Sequence, residues 1–404
     1  MTSDAPSSPG TARLLLLAAA LSLGAAVSLG VTRFAYGLLL PAMREDLGWS
    51  YALAGGMNTA NALGYFLGAL ATPRLMQRLG ASGVLWVGAV LCSVFMALSG
   101  FFISSEPLLL QRLLAGVASA LVFISGGLLA ARLGARDPRR SGFLLGIYYG
   151  GTGIGITGSS LLVPALLTAS AQTPHGWQWA WWALALSCLV ATVLLVWPAR
   201  EMARWPQPQA AAGGAPIVFR WQAFGFGLAG YTLFGVGYIG YMTFVVALLR
   251  NQGRSADEIT VFYGLLGLAV MASSRIWARL LDRYRDGRPL ALLNALLGLA
   301  TLLPALTQAW AAVMFSGLLF GAVFLSVVAS TTALVRHNLP PTAWAAGISA
   351  FTAVFAAGQI IGPTVVGWIA DGAGGLERGL VFSAIALWLG TALALRQRAL
   401  PQPG

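Results

Sequence analysis

The amino-acid sequence predicts an all-α membrane protein, with twelve transmembrane helices in two six-helix bundles related by an internal repeat. Three observations lead there. Of 404 residues, 58% are hydrophobic and only 9% are charged, a composition that soluble domains do not have. Apolar runs long enough to cross a hydrocarbon core of about 30 Å recur along the whole chain. The second half also repeats the first at a constant offset of 205 residues. Twelve spans of about 20 residues with short loops use nearly the whole length, so no sizeable soluble domain fits.

The spans follow in order. The first bundle, 13–198, reads as apolar runs at 13–41, 51–73, 82–104, 107–132, 141–168 and 177–198. The second, 220–397, reads as runs at 220–249, 257–281, 288–308, 309–335, 342–370 and 378–397. Residues 199–219, with Pro206, Pro208, Gly213 and Gly214, form a polar connector that reads as an interdomain linker. Residues 1–12, with Pro6 and Pro9 and no basic n-region, read as a disordered tail and not a signal peptide. Residues 398–404 form a second tail. The segments on the side of the termini carry 17 arginines, against four on the other side, Arg44, Arg250, Arg254 and Arg378. By the positive-inside rule both termini are expected to be cytoplasmic.

The net charge of +12 rests on 24 basic residues, all arginine. They are spread through short loops, whereas a nucleic-acid-binding protein gathers them on one soluble face. Cys92 and Cys188 lie in apolar spans and read as small buried hydrophobes, not as a disulfide or metal pair. No metal or cofactor is implied. The chain has no lysine and hence no ATP-binding loop. No Ser-His-Asp or paired-carboxylate cluster falls within the spans, so an enzyme is not expected. His337 at a span end and His175 in a loop read as bland.

The repeat is specific. GVTRFAY at 30–36 meets GVGYIGY at 235–241, and Ser50 meets Ser255. Arg74 and Arg78 meet Arg279 and Arg283, Gly116 meets Gly321, and Gly153 meets Gly358. Parallel duplication of this kind is a property of transporter halves.

With these features the chain resembles the major facilitator superfamily (MFS) over nearly its whole length. The loop Ala278-Arg279-Leu-Leu-Asp282-Arg283 is similar to that superfamily's loop motif, and Pro73-Arg74-Leu-Met-Gln77-Arg78 is its first-half counterpart, with Gln77 in place of the acid. The resemblance implies that Arg74, Arg78, Arg279, Asp282 and Arg283 latch the bundles on the cytoplasmic side. Arg112-x-x-x-Gly116 in the fourth span and Gly358-Gln359-Ile-Ile-Gly362-Pro363 in the eleventh resemble further motifs, which assigns conformational roles to Arg112, Gly358, Gly362 and Pro363. The glycine-rich fifth span lacks the Gly-Pro of the antiporter signature, which weighs against drug export. More narrowly, Arg33-Phe-Ala-Tyr36 through Pro41 and Met43, followed by Gly48-Trp49-Ser50, resembles the bacterial YbfB/YjiJ branch. Gly-Trp-Ser and Arg275 are also similar to monocarboxylate and oxalate-formate transporters, and that similarity makes Arg275 a partner for a substrate carboxylate. Met271 stands where the animal monocarboxylate carriers have an acid.

The chemistry of the spans points the same way. Arg33, Arg112 and Arg275 lie inside spans, and no Asp or Glu lies well inside any. A charged arginine at the bilayer centre costs about 2.5 to 3.5 kcal/mol on insertion scales, so each needs an anionic partner, backbone carbonyls or a route to the interface. Their counterparts at the repeat offset are Tyr238, Gly317 and Leu70, so the duplicated scaffold demands none of them. Arg33 is farthest from the span ends. An anionic substrate gripped by a guanidinium would supply the missing partner. Tyr231, Phe234, Tyr238 and Tyr241 share a face of the seventh span, as do Asn58, Asn61 and Tyr65 in the second and Thr352, Phe355 and Gln359 in the eleventh. Together with Tyr36, Tyr148 and Tyr149 these are the expected cavity-lining residues, although bundle packing alone explains many aromatic stripes. The sequence thus predicts a monomeric secondary transporter that moves a small organic anion by alternating access, with protons as a possible coupling ion. Two alternatives are an MFS exporter of drugs or other small molecules and a non-transporting receptor that kept the fold.

Overall fold

A computed structural model describes residues 10–205, 219–340 and 343–400. The tail residues 1–9 and 401–404 and linker residues 206–218 lie outside the described residues. The described residues are almost entirely helical, and eleven helices among them are long and apolar enough to cross a membrane. Helix α1 (Thr11–Ala25) runs through a π-helical turn, Ala26–Phe34, into α2 (Tyr36–Leu47), so that Thr11–Leu47 forms one span. Helix α3 (Tyr51–Ser99) has 49 residues, about 73 Å at 1.5 Å per residue and more than twice a hydrocarbon core. It breaks at Gly80 (φ 71°, ψ 164°), a conformation that glycine alone adopts readily. The remaining helices are α4 (Ser105–Arg136), α5 (Ser141–Ala169), α6 (Trp177–Ala203), α7 (Gly225–Asn251), α8 (Ala256–Arg283), α9 (Arg288–Leu306), α10 (Trp310–Asn338), α11 (Trp344–Ala370) and α12 (Gly375–Ala394).

Where the sequence reading has twelve spans the structure has eleven such helices among the described residues, because the spans read at 51–73 and 82–104 fall largely within the continuous α3; the other differences lie at span edges. The first span continues past Pro41 to Leu47 and stops at Gly48, which takes the left-handed conformation of a helix C-cap. The stretch expected as a loop after residue 73 stays helical up to Gly80, so Arg74 and Arg78 sit on helical turns. Helix α6 runs on to Ala203, into the stretch read as linker.

Local chemistry explains the starts. The Ser50 side chain accepts from Leu53 N at 3.1 Å and begins α3. Ser255 accepts from Glu258 N at 3.2 Å, and Glu258 accepts in return from Ser255 N at 2.9 Å, completing a capping box that begins α8. The π turn falls where Gly30 and the β-branched Val27, Val31 and Thr32 weaken α-helix propensity. Its carbonyls then take donors from outside: Ser119 Oγ donates to Ser28 O at 2.9 Å and Arg112 Nη1 to Thr32 O at 2.8 Å.

Before the linker, α3 packs on α4 and α6, and α1 packs on α5. After it, α12 packs on α7 and α9, α11 on α7, and α8 and α9 on α10. The two halves meet where α5 packs on α8, α3 on α11 and α2 on α7. Small residues permit these approaches, as membrane bundles require. Gly358 and Gly362 seat α11 on the α7 backbone at Thr232 and Val236, and the Pro363 carbonyl meets Gly55 of α3, with no room for a Cβ at any of the three glycines. The outer surface carries apolar side chains such as Leu161, Val193, Leu194 and Trp368, as a multi-pass membrane protein needs.

Candidate functional site

Arg33 is the last residue but one of the π turn and is only 3% exposed. Its Nε and Nη2 atoms are buried without a hydrogen-bond partner, and it makes no ion pair among the described residues. The guanidinium lies over the half-buried Tyr65 ring, 5.7 Å from its centroid. It is close enough to Tyr65 and Tyr238 to interact electrostatically with both. A buried cation whose donors have no acceptor in the protein is rare and costly.

Arg112 is equally buried but supplied from within. Besides Thr32 O, it donates from Nη2 to Asn58 Oδ1 at 3.1 Å, and its charge lies 4.9 Å from the Tyr36 ring centroid and 5.8 Å from that of Trp181. Its Nε has no partner. Asn58 Nδ2 donates onward to Thr243 Oγ1 of α7 at 2.8 Å, and Asn61 Nδ2 donates to Arg112 O at 3.1 Å. Tyr36 donates to Ala54 O at 2.8 Å. The structure therefore gathers Tyr36, Asn58 and Asn61 around Arg112.

The facing wall is aromatic. Tyr231, Phe234 and Tyr238 of α7 and Phe355 of α11 lie within 21° of parallel to one another in every close pair, at centroid distances of 4.8 to 5.6 Å. Tyr238 donates to Gln359 Oε1 at 2.7 Å, which ties the two buried side chains together. Tyr241 turns away, with its hydroxyl 2.7 Å from Ser316 Oγ and its ring stacked 4.1 Å from Phe320. Tyr148 packs on Phe123 and donates to Phe123 O at 2.8 Å. On α11, Ile348 and Thr352 are exposed, Phe355 is half-buried and Gln359 is buried, all on one face. Ala357, Ile361 and Trp368 form the opposite, bilayer-type exposed face. The first face, exposed at its outer turns and buried at Gln359, forms the vestibule side of α11.

Hydrogen bonds between the halves run from the centre, where Asn58 meets Thr243, to the end where α2, α5, α7 and α11 finish and α3 and α8 begin. Asp371 accepts from Tyr51 N at 2.7 Å and Ala52 N at 2.9 Å, across the halves, at the start of α3. Asn251 donates to Tyr51 Oη at 2.9 Å, Tyr263 to Phe34 O at 2.9 Å, Thr59 to Ile360 O at 2.7 Å and Thr157 to Gly264 O at 3.2 Å. Among the described residues no hydrogen bond joins the halves at the vestibule end. There, Arg74, Arg78, Arg279, Asp282 and Arg283 are exposed and form no ion pair with one another. Arg275 is also exposed and lies 4.7 Å from the Phe143 ring centroid across the halves, apart from the Arg33 cluster. The sequence does not single out Thr243, Asn251 or the π turn. Each matters through a tertiary partner, and only Gly30 among β-branched residues hints at the turn.

A bundle of apolar helices, with two halves joined at one end and a buried polar centre reached from the other, defines the class of membrane transporters. Among solved structures the fold is similar to a bacterial homologue of the human lysosomal transporter Spinster in an inward-facing, unoccupied conformation (TM-score 0.72, 16% identity, 97% of this chain and 100% of that one). It is also similar to the nucleoside transporter NupG (TM-score 0.71, 14% identity, 96% and 100%). The chain belongs to the family described as "Uncharacterised MFS-type transporter YbfB", matched over residues 25–395, and is a transporter, not an enzyme. Among curated proteins it is 25% identical over 375 residues to a gallate transporter of Pseudomonas putida (82% of this chain, 81% of that protein). It is 23% identical over 389 residues to a protein of Agrobacterium vitis assigned to tartrate transport (87% and 83%).

Proposed function

We propose that the protein moves a small organic anion, a carboxylate, across the bacterial inner membrane by alternating access, with Arg33 as the residue that grips it. The observation that carries this reading is the buried Arg33 guanidinium with donors left unpaired. A carboxylate would accept two parallel N–H bonds from it in a dehydrated site, where such bonds are strongest. Gallate and tartrate, the cargoes named for the two relatives, are both carboxylates, which supports the same class.

In this reading the chain crosses the membrane twelve times, α3 crossing twice about Gly80, with both termini cytoplasmic, as the arginine distribution favours. The two six-helix halves are a duplication. That Ser50 and Ser255, matched by the repeat, both cap a helix after a short turn supports it. The vestibule then faces the cytoplasm, and the joined end is the external gate. Opening outward breaks the Asp371 and Asn58–Thr243 contacts and brings the latch residues Arg74, Arg78, Arg279, Asp282 and Arg283 together. Gly358, Gly362 and Pro363 give the close surface on which α11 rocks. Arg275 is a contact on the approach to the centre. With no carboxylate among the groups around Arg33, a coupled proton travels with the substrate or at a boundary acid such as Asp371.

Uptake of labelled gallate and tartrate into proteoliposomes tests this. Carboxylate flux that Arg33→Gln abolishes is the expected result. Flux of cations or sugars that Arg33→Gln leaves unchanged would overturn it.

A further inference from the structure

We infer that the carboxylate is aromatic: a planar ring bearing one carboxylate, of the benzoate type, with its carboxylate on Arg33 and its ring laid against Phe355. The inference rests on the anion reading above and narrows it. Of the two central guanidiniums only Arg33 has both Nε and Nη2 without a partner, since Arg112 spends both Nη atoms on Thr32 O and Asn58 Oδ1 and leaves Nε alone unpaired. One edge is therefore open to a bidentate carboxylate, and a second carboxylate would find no guanidinium with two free donors there.

The rest of the lining selects for ring faces. Tyr238, Phe355 and Phe234 already lie near-parallel, and Phe324 continues the set with its plane 8° from that of Tyr238. Only Phe355 of this set is half-buried, on the vestibule side, so a flat ligand entering beside Gln359 extends the stack there at ordinary offset-stacking separation. Arg33 itself lies over a ring, that of Tyr65, so a carboxylate in the plane of its own ring meets a guanidinium held against an aromatic face. An aliphatic acid such as lactate or tartrate has no ring face to add to this stack.

Binding to the purified full-length protein, measured calorimetrically with benzoate, 4-hydroxybenzoate, gallate, lactate and tartrate, tests the inference. The benzoates are expected to bind and the aliphatic acids to bind at least about tenfold more weakly. Arg33→Gln removes benzoate binding. Phe355→Leu weakens it about tenfold, and Phe355→Tyr, which keeps the ring, restores it. Lactate or tartrate binding through Arg33 with no benzoate binding would overturn the aromatic assignment and leave the anion site standing. Benzoate affinity unchanged in Phe355→Leu would overturn the stacking. Failure of every carboxylate to bind would overturn the anion reading itself.

Discussion

Arg33 and Arg112 are both buried guanidinium groups in membrane-spanning helices, and they differ in what the chain gives them. Arg112 has a backbone carbonyl, an amide oxygen and a tyrosine face, whereas Arg33 has a tyrosine face alone. Substitution should therefore act in opposite directions. Arg33→Gln should leave the ligand-free protein as stable as the native one, or more so by about 1 kcal/mol, because it removes an uncompensated charge. Arg112→Gln should cost about 3 kcal/mol, because Thr32 O and Asn58 lose a charged donor. Thermal unfolding in detergent reads both, and equal losses would contradict the distinction. Arg275, exposed over Phe143, should alter flux with affinity at the centre kept within about twofold in Arg275→Gln, since solvent screens a distant exposed charge. Sequence reasoning could place three arginines inside spans and rank Arg33 as the deepest. It could not tell which had partners, because Thr32 O is freed by a π turn and Asn58 arrives from another helix.

At the scale of elements, the proposed mechanism rests on the π turn and the start of α3. The turn directs two carbonyls outward to Ser119 and Arg112 and seats Arg33 at its end. The start of α3 exposes backbone N–H groups and a partial positive charge that Asp371 satisfies from the other half. Asp371→Asn should weaken the joined end by about 1 kcal/mol. The consequence to measure is faster labelling of Val246→Cys, buried near that end, by a membrane-impermeant maleimide; an unchanged rate would remove Asp371 from the gate. Helix existence was legible from apolar run length, and the Ser50 and Ser255 caps from residue type. Helix ends were less so: the turns carrying Arg74 and Arg78 looked like loop because they are polar, yet they continue α3 to Gly80.

For the whole molecule, no hydrogen bond between the halves among the described residues lies at the end where α11 begins; they run from Asn58–Thr243 at the centre to Asp371 at the opposite end, while Ile348 and Thr352 are exposed on the first turns of α11. Such one-sided joining fits the proposed alternating access, in which a gate resting on a few hydrogen bonds and glycine contacts is exchanged for another of similar strength. The hydropathy pattern made the membrane class readable, and the constant offset is the basis of the duplication proposed above. The site was legible as a list of residue types, whereas its division into a self-satisfied Arg112 network and an unsatisfied Arg33 depends on tertiary contacts that no spacing encodes. The central claim, that a carboxylate completes Arg33, is tested most directly by titrating gallate into native protein and Arg33→Gln protein side by side in a calorimeter. The account predicts saturable binding to the native protein and none to the variant; equal binding to both would contradict it.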